Sequence, residues 1–252
     1  MRRYWIEKKH FNSGFINLTG DTFHHICEVC RQDVGNKFEV LNEGKAYFVE
    51  VISRDKKSAQ VKILEEREAP KPQKPYIHMA VSISKFQTMD TIVEKAVELG
   101  AFAIYPFVSD FSFIRDKNSE RLLEKMDRWN RIVKAATSQT GRGDLMHISA
   151  PKTLKELLEN MNQFDRSVGL FPYEGESEQT VSLAIKEMKA KSPENVWLFV
   201  GSEGGFSDQE VEIFKENGLK SSTLGDQVLR VETACLSLLS ILKYEFDASG
   251  KI

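Results

Sequence analysis

"VWLFVGSEGGFSDQEVEIFKENG", residues 196–218, sets an apolar run against a glycine-marked turn and then a helix start. Three glycines, Gly201, Gly204 and Gly205, surround a single carboxylate, Glu203. Ser207 and Glu210 stand at capping-box spacing, and Gly218 closes the helix they open. Strand, glycine turn and helix are the parts of an open α/β sheet, in which ligands bind beyond the carboxyl ends of the strands. A second exit of this kind, "SSTLGDQVLRVETA" at 221–234, follows at once. One glycine loop is as well explained by a tight turn, but two in succession favour a ligand site. "GSEGGF" is not the G-x-G-x-x-G of a dinucleotide fold, and it comes late in the chain rather than after the first strand. Glycine backbone approaches a flat heterocycle closely, which suits a neutral purine better than a pyrophosphate.

The same rhythm extends upstream. "YIHMAVSI", "FAIYPFV", "HISA", "RSVGLF", "VWLFVG" and "SSTLG" read as strands. They are separated by helical patterns in "MDTIVEKAVELG", "SERLLEKMDRWNRIVKAATSQ", "TLKELLENM", "VSLAIKEMKA" and "SDQEVEIFKENG", and "ETACLSLLSILKYEF" closes the series. Such alternation predicts a mostly parallel sheet covered on both faces. The last helix is apolar nearly all round from Ala234 to Leu242, so it is either core or a subunit interface.

Before Tyr76 the pattern differs. "KFEVLN", "AYFVEVIS" and "AQVKILEE" are strands, "NEGK" turns the chain between the first two, and "DTFHHICEVCRQDVG" is a helix with Asp21 at its start. A small β-barrel with one inserted helix is the expected package. "REAPKPQKPY", with Pro70, Pro72 and Pro75, is a stiff linker that divides the chain into domains at 1–69 and 73–252.

The chain has 252 residues, 41% hydrophobic and 29% charged, and a net charge of −2, so global charge does not announce a nucleic-acid partner. No apolar run approaches the roughly 18 residues of a membrane helix, and "MRRYWIEKKHFN" has no signal-peptide core. The cytoplasm is the expected location. Cys27 and Cys30 lie beside two histidines, but a structural zinc site draws on two separated ligand pairs, and the third cysteine, Cys235, is far away. Buried packing thiols, with no metal, are expected.

The two glycine loops resemble the G-P-E-G-G-x-s-x-x-E and L-G-x-x-I-L-R-x-E-T-A elements of the 16S rRNA uridine-N3 methyltransferases, the small-subunit methyltransferase E family of the knotted SPOUT superfamily. "RWNRIVKAATSQTGR" is similar to the family's E-R-W-x-x-I…E-A-x-x-Q-s-x-R pattern, and "DTFHHICEVCRQDVGN" to its His-then-V-L-R-x-x-x-G element. The resemblance spans nearly the whole chain. Three positions depart from it: Ser202 and Met146 stand where proline is common, and Cys30 replaces the leucine of V-L-R.

The resemblance implies a SPOUT-type, trefoil-knotted α/β catalytic domain preceded by a PUA-like β-barrel, in a homodimer. It implies that S-adenosylmethionine sits in the knot against Leu170, Phe171, Val200, Gly201, Glu203, Gly204, Gly205, Leu224, Gly225, Val228, Leu229, Arg230, Thr233 and Ala234. The substrate it implies is 16S rRNA of the small ribosomal subunit. Uridine N3 carries a weakly acidic proton, and the anion left behind spreads onto O2 and O4, where a cation stabilises it. Arg230 is the candidate for that role. Glu203 and Glu232 are candidates to accept the proton or to position loops, although the helix dipole alone favours a glutamate at 232. Arg2, Arg3 and Arg31 are expected to contact phosphates from the barrel, with Trp5 fitting a core position better than a stacking one. Arg142 is either a solvated loop residue or a further RNA contact.

Overall fold

The computed structural model describes residues 1–246; the end of the second expected domain, 247–252, lies outside them. Two compact units are present. One comprises Met1–Lys71 together with Val133–Leu145, and the other Pro72–Ile132 together with Met146 onward.

In the first unit a six-stranded sheet has the order β1-β4-β5-β6-β3-β2, with β1 (Arg3–Trp5), β2 (Phe11–Asn12), β3 (Phe15–Thr19), β4 (Lys37–Asn42), β5 (Lys45–Arg54) and β6 (Ser58–Glu68). Only the β1–β4 pairing is parallel. Glu43 and Gly44 both have positive φ (44° and 86°), as the two-residue hairpin between β4 and β5 requires. Alternate residues (Ile16 and Leu18, Phe38 and Val40, Val49 and Val51) point into one core with Phe23, Ile26 and Cys27.

The inserted helix starts earlier than its sequence suggests. Gly20–Phe23 form α1 after Thr19, and Asp21 lies in its first turn rather than capping it. The chain then widens into a π-turn over His24–Val29, with Cys30 N donating to His25 O. Cys27 is buried and Cys30 packs against the same core, so both are packing thiols.

The second unit is built on a parallel sheet of order β10-β8-β7-β13-β11-β14-β12, with β9 beside β8. Its central strands are β7 (Tyr76–Ser82), β8 (Ala103–Val108), β11 (Ser167–Pro172), β13 (Asn195–Val200) and β14 (Ser221–Thr223). The two-residue strands β9 (His147–Ile148), β10 (Lys152–Thr153) and β12 (Gln179–Thr180) complete it. Every residue of β13 is buried, as expected for a central parallel strand.

The helices are α2 (Phe86–Glu98), α3 (Glu120–Thr140), α4 (Leu154–Met161), α5 (Val181–Ala190), α6 (Asp208–Glu216) and α7 (Val231–Phe246). Ser207 and Glu210 form the expected capping box of α6. The core of α7 is one-sided. Ala234, Cys235, Leu238, Leu239 and Leu242 are buried, whereas Thr233, Ser240, Ile241 and Tyr244 are exposed.

Candidate functional site

β11 lies between β13 and β14 in space, although it precedes both in sequence. Successive connections therefore leave β11 in one direction and return across it. The strand ends at such a reversal open a crevice. Three loops leave these carboxyl ends: 173–175 after β11, 201–206 after β13 and 224–230 after β14. They enclose a cavity of about 380 Å³ lined by Pro172–Gly175, Val200–Ser202, Gly204–Phe206, Thr223–Leu229, Val231 and Ala234. That volume is of the size small-molecule sites occupy.

The glycines do different work around it. A Cβ on Gly201 would strike the Gly205 backbone at 2.8 Å, and one on Gly204 would strike Phe111 Cβ at 2.8 Å, so these two positions let the loop fold on itself and on its neighbour. Gly205 (φ 69°) and Gly225 (φ 127°) are left-handed, and a Cβ there would meet nothing within 4 Å. At these two, glycine serves backbone conformation and leaves the adjacent space free.

Ser202, where a proline is common, does not loosen the loop. Its hydroxyl donates to Phe111 O at 2.7 Å. Glu210 adds two ties, accepting from Ser207 N at 3.0 Å and Asp110 N at 3.1 Å, and Ser207 Oγ donates to Asp110 Oδ2 at 2.5 Å. Burial raises the Glu210 carboxyl's pKa, against the lowering effect of those backbone donors. The glycine loop is thus fastened to Asp110 and Phe111 from both of its ends.

A second cavity, of about 390 Å³, is lined by Lys85, Thr88, Glu174, Ser202, Glu203, Val228–Glu232. It shares Glu174, Ser202, Val228, Leu229 and Val231 with the first. Arg230, Glu203 and Glu232 all lie here, so the three proposed chemical residues share one hollow with Lys85. Glu203 Oε1 accepts from Lys85 N at 3.3 Å. Arg230 is exposed, and its carbonyl receives Ala234 N at 2.9 Å to begin α7.

Of the expected cofactor residues, Val200, Gly201, Gly204, Gly205, Leu224, Gly225, Val228, Leu229 and Ala234 line the first cavity, and Glu203 and Arg230 the second. Leu170 and Phe171 are fully buried, with Phe171 stacked on Phe214 at 4.4 Å, and they line neither. Thr233 is exposed on α7 and lines neither. Sequence reasoning passed over Pro172–Gly175, whose signal was only the continuation of an apolar strand into "PYEG". It also passed over Lys85, whose place follows from α2 beginning where β7 ends.

The arginines of the first unit are more constrained than expected. Arg3 pairs with buried Glu39 at 2.8 Å, and Arg67 reaches the same carboxylate. Burial would raise the Glu39 pKa, but the two guanidiniums outweigh it and hold it low. Arg2 donates to Cys30 O. Arg31 is exposed, in a left-handed conformation (φ 55°). Arg142 is no solvated loop residue: it is 6% exposed, and it forks onto Asp144 with two 3.0 Å hydrogen bonds. Trp5 is half-buried against Leu41, Ala46 and Ala69, so it belongs to packing.

Against this geometry, the RNA methyltransferase domain family matches residues 71–243, and the RNA methyltransferase PUA domain family matches residues 18–64. A ribosomal RNA small subunit methyltransferase E of Aquifex aeolicus is 36% identical over 243 residues, which cover 96% of this chain and 99% of that protein. The chain belongs to the ribosomal RNA small subunit methyltransferase E family. The Bacillus subtilis member is 31% identical, covering 98% of each chain. The crystal structure of a family member from Neisseria gonorrhoeae, bound to S-adenosyl methionine, superposes with a TM-score of 0.80 at 26% identity, covering 97% of each chain. Family membership thus carries a parallel α/β domain and a PUA domain, in keeping with the two units seen here.

Proposed function

We propose that this protein transfers a methyl group from S-adenosylmethionine to N3 of a uridine in 16S rRNA of the small ribosomal subunit. The observation that carries the reading is the pair of cavities with a common wall, one built from glycine loops and the other holding Arg230, Glu203 and Glu232. The first fits the cofactor. It is of small-molecule size, and glycine backbone at 205 and 225 borders open space. Thr223–Leu229 and Val200–Phe206 would hold it, and it would supply an electrophilic methyl group.

The chain's own residues do the remainder. Arg230, beside the shared wall, stabilises the negative charge that uridine O2 or O4 gains as N3 loses its proton. Glu203 or Glu232 takes that proton, or positions the loop that carries Arg230. Val228 and Leu229 line both hollows and hold the two in fixed relation.

The wider assignment follows the family. Residues 1–69 serve as an RNA-binding domain and 73–252 as the methyltransferase domain, its loops belonging to a SPOUT trefoil knot, in a cytoplasmic homodimer. The exposed Ile241 and Tyr244 on the outer face of α7 support a dimer contact, which light scattering of the full chain would test by its mass. The function itself is tested with labelled S-adenosylmethionine and small-subunit rRNA, followed by digestion to nucleosides. Label in 3-methyluridine is expected; label in another nucleoside, or none, overturns the reading.

A further inference from the structure

Residues 109–113, "SDFSF", follow β8 and were not marked by any motif. Ser112 is buried and its hydroxyl meets those of Ser82 (2.9 Å) and Ser109 (3.1 Å) while accepting from Ser109 N at 2.7 Å. The residues on either side of it turn outward: Phe111 is 47% exposed and Phe113 45%. Exposure here does not come from a loose loop. Phe113 N donates to Ile83 O at 2.7 Å, Phe111 O accepts from Ser202 Oγ, and Asp110 is tied to Glu210 and Ser207. A backbone pinned at each residue, with two large apolar side chains left in water, is a presentation surface.

Its surroundings are cationic. Phe86, at the start of α2, meets Phe113 edge to face at 5.8 Å. Arg121 lies 5.0 Å above Phe86 and 5.7 Å above Phe113, and Lys125, one helical turn further along α3, lies 5.0 Å above Phe86. Lys85 and Arg115 are exposed nearby in sequence. Carboxylates are near too: Glu203 reaches the Lys85 backbone, and Asp110 is engaged by Ser207. Arg121 and Arg115 form no ion pair among the described residues, so their charge is available. Phe111 also underlies Gly204, and Lys85 lines the hollow that holds Arg230.

We propose that Phe111 and Phe113, with Lys85, Arg115, Arg121 and Lys125 around them, form a stacking platform for unpaired RNA bases beside the methyl-transfer site. The proposal rests on the rRNA methyltransferase reading and names how that site takes its substrate strand. Sequence-specific RNA recognition targets unpaired bases, which stack on aromatic rings while cations track the backbone. A net charge of −2 makes such a local basic, aromatic surface the means of holding a polyanion. Direct coupling of this loop to the glycine loop places a stacked base in fixed register with the cavity.

The test uses the full chain. Phe113→Ala is expected to raise KM for 16S rRNA by about 5- to 150-fold, the span of one lost base stack. The kcat at saturating RNA and the calorimetric affinity for S-adenosylmethionine should stay at wild-type values. Phe113→Trp should restore KM, and its fluorescence should be quenched by a single-stranded uridine decamer. Arg121→Ala should lower the salt slope of decamer binding by about 0.7. An unchanged KM in Phe113→Ala refutes the platform, as does dissociation of the oligomer by that substitution, which would assign the patch to a second copy of the chain. If the wild-type protein transfers no methyl group, the functional reading fails on its own, and anisotropy with the decamer still decides the platform.

Discussion

His78 sits in the middle of the sheet, fully buried on β7 next to β13, the strand that ends in the glycine loop. Its ring stacks on Trp197 at 4.5 Å and 8°, and Nε2 lies 2.9 Å from Asn195 Oδ1. Burial pushes its pKa down to about 4, against the raising effect of the Asn195 hydrogen bond. In the unfolded chain the value returns to about 6.5. Between those values the unfolded chain binds a proton that the native chain does not, so stability rises with pH across the window. Full stability from this group is present above about pH 6.5 and is lost as the pH falls towards 4. Going from pH 7.5 to 4.5 costs about 2.5 kcal/mol by that linkage.

Glu210 works in the opposite direction. Its raised pKa makes the native state the better proton binder above the ordinary carboxylate range, so its contribution is lost as pH rises. A difference measurement separates the two. His78→Gln keeps a donor for Asn195 but does not titrate. Urea unfolding of both proteins at pH 4.5 and 7.5, followed by tryptophan fluorescence, should show the gap between them moving by about 2.5 kcal/mol in favour of the variant at low pH. A gap independent of pH would mean that His78 is protonated in the native sheet, and the burial argument would be wrong.

Three further outcomes follow from the site. Ala234→Leu projects into the first cavity from the start of α7 and should weaken S-adenosylmethionine binding by more than about tenfold in calorimetry, with the fold retained by circular dichroism. Arg230→Ala should leave that affinity unchanged and slow single-turnover transfer at saturating RNA by about 10²- to 10³-fold, the loss seen when one donor to a developing oxyanion is removed. Arg142→Ala removes a buried guanidinium and its fork onto half-buried Asp144, and should destabilise the protein by about 1–3 kcal/mol in denaturant titration, whereas Arg31→Asn should leave stability alone and flatten the salt dependence of rRNA binding.

The sheet and its ligand end were legible because local signals there agree with the fold. β13 is an unbroken apolar run from Val196 onward, α6 carries its own capping box, and Gly205 and Gly225 sit where left-handed backbone is needed. What the chain does not spell out locally is direction. Leu170 and Phe171 belong to the strand beside the cavity, but the pleat sends their side chains to opposite faces of the sheet, where both are buried, and only the next four residues line the cavity. Arg142 and Arg3 look free in a string of letters; their carboxylate partners are two and thirty-six residues away, and folding decides that they are spent on ion pairs. Gly204 lines the first cavity and is also the seat of Phe111, a contact that no local pattern announces. Two-residue strands such as β10 and β12 leave no periodicity to read.

The shared wall of the two cavities explains why cofactor and charge chemistry cannot be assigned by loop alone. Val228 and Leu229 face both hollows, so replacing either disturbs binding and rate together. Ala234 borders only the first hollow and Arg230 only the second, although four residues separate them at the start of one helix. The same backbone hydrogen bond, Ala234 N to Arg230 O, opens α7 and fixes the distance between the two roles. A cofactor effect confined to Ala234 and a rate effect confined to Arg230 would therefore be a property of the helix start: one turn of α7 holds a bound molecule on one side and a developing charge on the other.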